Sequence, residues 1–112
     1  MQHLVRLTDR AQRDMEFIYE FVQADASESA FAWFNDFAEA IYSLERYPKR
    51  GAVTPESKKL RHLLFGKKPA TYGIIYAVDK RTTAVSILHI RHGAQLRLPP
   101  IRRRQNGLIS TS

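Results

Sequence analysis

The sequence predicts an α+β fold, a two-layer sandwich in the order β-α-α-β-β-β, with a helical hairpin packed on one face of a mainly antiparallel sheet. Three observations predict it. Two stretches before residue 48 repeat apolar residues at three-and-four spacing, the signature of helices with one buried stripe. Three runs between residues 60 and 92 are rich in Ile, Val, Leu and Tyr and are separated by short polar turns. A short β-compatible run, His3 to Leu7, precedes all of them.

The first run stops at Thr8-Asp9, where a hydroxyl can accept from a free amide of the first helical turn and a carboxylate suits the positive end of the helix dipole. A helix follows with Ala11, Met15, Ile18 and Val22 as its buried stripe and Phe21 widening it. Ala24 to Ser27 breaks the stripe, and Ser27 or Ser29 caps a second helix. Its apolar positions are Ala30, Trp33, Phe34, Phe37, Ile41 and Leu44, and Tyr47-Pro48 ends it. The aromatic row Trp33, Phe34 and Phe37 reads as core. Pro48 to Lys59 has no helical period and reads as a loop; strands follow at Leu60–Phe65, Tyr72–Val78 and Thr83–His92. Residues 1–96 form the single expected domain, and residues 97–112, RLPPIRRRQNGLISTS, a basic, loosely ordered extension.

Composition narrows the function. The chain has 112 residues and no cysteine, which excludes disulfide scaffolds, cysteine-rich zinc sites and thiol catalysis. Its start lacks the apolar stretch of a secretory signal and no later run approaches a membrane span, so a soluble, cytoplasmic protein with no membrane role is expected. Charge is segregated. Residues 1–45 set three arginines against nine carboxylates, a net −6, whereas residues 46–112 set fifteen Lys and Arg against Glu56 and Asp79, a net +13. Leaving out the extension, the second part still carries +9, a surface suited to nucleic acid or an acidic protein.

Six local signatures in this order resemble the RelE/ParE superfamily of toxins from type II toxin–antitoxin modules, over residues 3 to 96. They are Leu7-Thr8 with Ala11, Tyr47-Pro48-Lys49-Arg50-Gly51, Leu60-Arg61-His62-Leu63, Thr71-Tyr72-Gly73-Ile74-Ile75-Tyr76, the strand Ile87 to Arg91, and the pair His92-Gly93 that ends it. The Pro-x-x-Gly loop and His-Gly ending look more like the ParE branch, found in plasmid stabilisation systems. The resemblance implies a growth-inhibiting toxin that binds DNA gyrase and is neutralised by a small acidic antitoxin. It leaves room for a homodimer and implies no cofactor. Two alternatives stay open: a ribosome-dependent mRNA endonuclease like RelE, with ribosome and mRNA as partners, and a non-toxic relative acting as a regulator. Gly73 stands where both branches commonly have Arg, and Ala94-Gln95 where arginines usually follow; such cations hold a phosphate in the RNA-cutting branch, so their loss speaks against that chemistry.

RNA cleavage through the 2′-hydroxyl needs a base, an acid and a cation on the phosphate. Under that alternative the catalytic candidates are Arg61, His62, Lys67, Arg91 and His92, with Lys68 and Tyr72 beside them, the histidines because imidazole titrates near neutral pH. His89 and His92 are three apart on a strand, point to opposite faces and cannot share a metal ion; no metal site is expected. Strand alternation puts Tyr72, Ile74, Tyr76 and Val78 on one side, facing the helices, and Gly73, Ile75 and Ala77 on the other. The latter strip, with Val85 and Ile87 beside it and Arg61 and Arg91 near it, is the expected partner-binding surface. A competing cover is the extension folding back through Leu96, Leu98 and Ile101.

Overall fold

Thr8 turns the chain from sheet to helix. The structure, a computed structural model, describes residues 3–67 and 71–92. Strand β1 (Leu4–Leu7) ends at Thr8, and α1 (Asp9–Phe21) begins with the Thr8 hydroxyl oxygen accepting from the Ala11 N–H at 3.2 Å. Helix α2 (Glu28–Tyr42) starts the same way from Ser27, whose Oγ accepts from the Ala30 N–H at 3.1 Å. Gln23, at φ 54°, makes the sharp bend between the helices. A short 3-10 turn (Ser43–Glu45) ends the hairpin before Pro48.

The loop that follows holds a two-residue strand, β2 (Ala52–Val53), too short to carry a periodic signal in the sequence. Then come β3 (Leu60–Phe65), β4 (Tyr72–Asp79) and β5 (Ala84–His92), in one five-stranded sheet of order β1-β5-β4-β3-β2. All pairings are antiparallel except β1 with β5, which the intervening helical hairpin makes parallel. Both helices lie against one face. Their buried residues Ala11, Ile18, Phe37, Ala40 and Ile41 join Val5, Leu63, Tyr72, Ile74, Tyr76, Val85, Ile87 and Ile90 in a single core. Trp33 and Phe37 stack at 5.4 Å between ring centres and meet Phe65 and Tyr72 at 5.3 to 5.6 Å, so the aromatic row is core as its spacing predicts.

Two expectations are corrected. Val85 and Ile87 are fully buried under the helices, not on the open face. The reason is a β-bulge: Ile75 pairs with His89 but Tyr76 pairs with Ile87, so Leu88 is an extra residue in β5. One inserted residue flips everything on one side of it, because side chains alternate with period two. An unbulged β5 that kept His89 and Arg91 on the open face would have carried Ile87 and Val85 there too. The bulge is held where it forms, the Thr8 hydroxyl lying 2.8 and 3.0 Å from the Ile87 and Leu88 carbonyl oxygens. The second correction is Phe21, which is 62% exposed and lies on the flank of α1, not in its buried stripe.

Candidate partner interface

The open face is built by alternation from the register. On β3 it presents Leu60, His62 and Leu64; on β4 Gly73, Ile75 and Ala77; on β5 Ser86, then His89 and Arg91 beyond the bulge; on β1 Leu4 and Arg6. Among the described residues no helix covers this face. Ile75, only 5% exposed, forms the floor at its centre between His62 and His89, its cross-strand neighbours, which are two strand spacings or about 10 Å apart. Gly73 gives no side chain to the space between Leu64 and Arg91, its two partners in the ladder. The face is therefore low along β4, with larger side chains on either side.

His89 is the electrostatically marked group here. Burial disfavours its charged form, Arg10 and Arg91 add to that, and Asp14 opposes it, so its pKa is held below the ordinary imidazole value. Its buried Nδ1 has no hydrogen-bond partner among the described residues, which fits a neutral ring.

Four of the five catalytic candidates are divided between the two faces, and the fifth is on neither. His62 and Arg91 are on the open face, opposite Ile75 and Gly73. Arg61 pairs with Tyr76 and is on the helix side, where its guanidinium donates to the Gly51 carbonyl at 2.7 Å and reaches the Lys49 carbonyl at 3.5 Å. His92 pairs with Tyr72, also on the helix side, and packs edge-on against the Tyr72 and Phe21 rings. Lys67 is exposed beyond the end of β3. Of the five, only His62 and Arg91 share the open face. Among the described residues no group of three His, Asp or Glu side chains could hold a metal ion. Lys68, Gly93, Ala94, Gln95, Leu96 and the extension 97–112, with its apolar Leu98 and Ile101, lie outside the described residues.

Arg61 has a structural task that the sequence did not disclose. Tyr76, fully buried, donates its hydroxyl hydrogen to the Pro48 carbonyl at 2.8 Å and accepts from the Gly51 N–H at 2.8 Å. A Cβ on Gly51 would come within 2.6 Å of the His62 carbonyl oxygen and 2.8 Å of the Tyr76 hydroxyl, so only glycine fits. The Tyr-Pro-x-x-Gly loop is thus pinned to the sheet by Tyr76 and Arg61 together. Burial raises the Tyr76 pKa, which keeps the hydroxyl protonated and able to donate.

The structure adds a surface that sequence reading missed. Phe17 is 67% exposed and stacks on Phe21 at 6.0 Å, and the two form the lip of a cleft of about 340 Å³ with Ile18, Tyr72, Ile90 and His92 in its wall. Asp14, also in the wall, spends one carboxylate oxygen on the Ile90 N–H at 2.9 Å, where β5 has run past the end of β1. The available signal was an aromatic pair four residues apart, with Phe17 well off the buried stripe. Two adjacent exposed phenylalanines beside an apolar cleft are the usual mark of a protein-binding site.

The profile of the family described as ParE toxin of type II toxin-antitoxin system, parDE, matches residues 5–97. No curated protein matches the sequence. Among solved structures, the chain is similar to the Mycobacterium tuberculosis toxin–antitoxin complex RelBE2, at 20% identity and TM-score 0.58, covering 82% of this chain and 99% of that one. It is similar to the chromosomal ParDE system of P. aeruginosa, at 22% identity and TM-score 0.61, covering 81% and 96%. It is also similar to a mutant of the E. coli toxin RelE in the free state, at 11% identity and TM-score 0.58, covering 81% and 83%. At these identities the structures share the fold.

Proposed function

We propose that this chain, which belongs to the ParE toxin family of type II toxin–antitoxin systems, acts by binding a cellular target, DNA gyrase, and is silenced by a cognate antitoxin. The observation that carries the reading is the division of the five candidate catalytic residues. Arg61 is committed to two loop carbonyls and His92 is packed between aromatic rings on one side, while His62 and Arg91 are on the other. A toxin that works by contact needs no convergent acid and base, only a surface. Gly73, Ile75, Ala77 and Arg91 on the open face, with Phe17 and Phe21 at the cleft, are the proposed partner-binding residues; Val85, Ile87 and Arg61 leave that set.

One of the structural neighbours is a toxin–antitoxin complex and another a ParDE toxin–antitoxin system, which supports an antitoxin as the partner here. The cleft accepts an apolar side chain of such a partner, and the positive second part of the chain favours an acidic one. Supercoiling by purified gyrase tests the reading: the protein inhibits it at near-stoichiometric ratio, and co-purified antitoxin restores it. Full supercoiling at a large excess of protein would remove gyrase as the target. Absence of growth arrest on expression would favour the regulator instead.

A further inference from the structure

We infer that a second groove, at the opposite end of β4 from the aromatic cleft, holds the phosphate backbone of double-stranded nucleic acid. Tyr72, which lines the cleft, begins β4, and Asp79, which lines the groove, ends it, so the two sites lie roughly 20–25 Å apart. The groove has a volume of about 850 Å³ and is bordered by Lys49, Lys58, Lys59, Lys80 and Arg61. All four lysines are exposed, and among the described residues none has a carboxylate within ion-pair reach. Asp79 is the one acid in the lining among the described residues, and its Oδ1 accepts from the N–H groups of Arg81 at 2.9 Å and Thr82 at 3.4 Å, holding the turn into β5. The cations therefore come from three separate segments and converge with five positive charges against the single carboxylate of Asp79.

The chemistry of the lining selects the ligand. Among the described residues no Phe, Tyr or Trp lines the groove and its one imidazole, His3, is half-buried, so it lacks the row of stacking platforms that single-strand binders use. Carboxylates of an acidic peptide are best matched by the planar fork of arginine, but the one arginine here is spent on the Gly51 and Lys49 carbonyls. What remains is a set of mobile point charges. These suit a dense line of phosphates, and duplex DNA presents about one negative charge per 1.7 Å of axis. Among the described residues the site shares none with the cleft and meets the open-face strip only at Ala77, and its four lysines belong to neither.

Anisotropy of a fluorescent DNA duplex of about 20 base pairs, titrated with the full chain at several salt concentrations, tests the inference. The triple variant Lys58→Gln/Lys59→Gln/Lys80→Gln is expected to bind about tenfold or more weakly at low salt, with a slope of log affinity against log salt shallower by about 2 to 3. Its far-UV spectrum and melting temperature should match the parent; if they do not, Lys58→Gln/Lys59→Gln is used, with an expected slope change of about 1 to 2. Neutralising Arg102, Arg103 and Arg104 to Gln separates the extension from the groove, and is expected to change the slope less than the groove variant does. The inference is overturned if the parent chain does not bind the duplex, if the groove variant binds like the parent, or if only the extension variant loses binding. It is equally overturned if a single strand or an oligo-glutamate peptide binds more tightly than the duplex at equal salt.

Discussion

The two faces of the sheet carry adjacent residues to opposite ends. Arg61 and His62 are neighbours in β3, yet Arg61 is bonded beneath the Pro48–Gly51 loop while His62 stands on the open face beside Ile75. The same contrast holds for Ile87, fully buried under the helices, and Leu64, 53% exposed on the other side. On the covered face, side chains close a core and fix the loop. On the open face, the same strands leave a shallow, partly apolar surface whose larger side chains stand to either side of β4. The difference teaches that stability and recognition are separated by the alternation of the strand itself, so substitutions can sort one from the other.

The sharpest way to break the comparison is to remove the same bulk from each face. Ile87→Ala should cost about 2–5 kcal/mol in urea unfolding, because it empties a site with no room to collapse, while Leu64→Ala should cost less than about 1 kcal/mol. Equal losses would mean that the open face is also core. Next in size is the loop pin. Tyr76→Phe leaves the buried Gly51 N–H without its acceptor and is expected to cost about 1–3 kcal/mol. Arg61→Ala should cost about 1–2 kcal/mol and His62→Ala no more than about 0.5, a comparison within one dipeptide.

Smaller in stability but larger in binding is the aromatic lip. Phe17→Ala/Phe21→Ala should leave the melting temperature nearly unchanged and weaken antitoxin capture, measured by calorimetry, by about tenfold or more. Unchanged affinity would place the partner elsewhere. The smallest effect is a pH dependence. His89 has its folded pKa below the ordinary 6.5, so below that value the unfolded chain takes up a proton that the folded chain resists. Its contribution is therefore full above pH 6.5 and is lost as pH falls from there through the folded value. His89→Gln should flatten that part of the stability profile; an unchanged profile would mean that the ring titrates normally.

Much of the fold is legible in the sequence because its signals are local. Thr8 and Ser27 announce helix starts through the chemistry of a hydroxyl beside free amides, and Phe37, Ile41 and Leu44 lie buried on the stripe that the spacing marks. The face of β5 is not legible, since one unpaired residue at Leu88 decides it and nothing in Ser86-Ile87-Leu88-His89 marks a bulge. Nor is the task of Arg61, which depends on a tyrosine and a glycine 15 and 10 positions away meeting it in space. The cleft was half legible: Phe17 and Phe21 sit four apart, but only the crossing of α1 over the end of β5 turns them into the lip of a site.

Binding without catalysis is most directly tested by mapping mRNA 5′ ends in a translating extract that contains the purified toxin. The dispersion of Arg61, His62, Lys67, Arg91 and His92 over two faces and a turn predicts no new ends. Cuts appearing in the ribosomal A site would contradict the account.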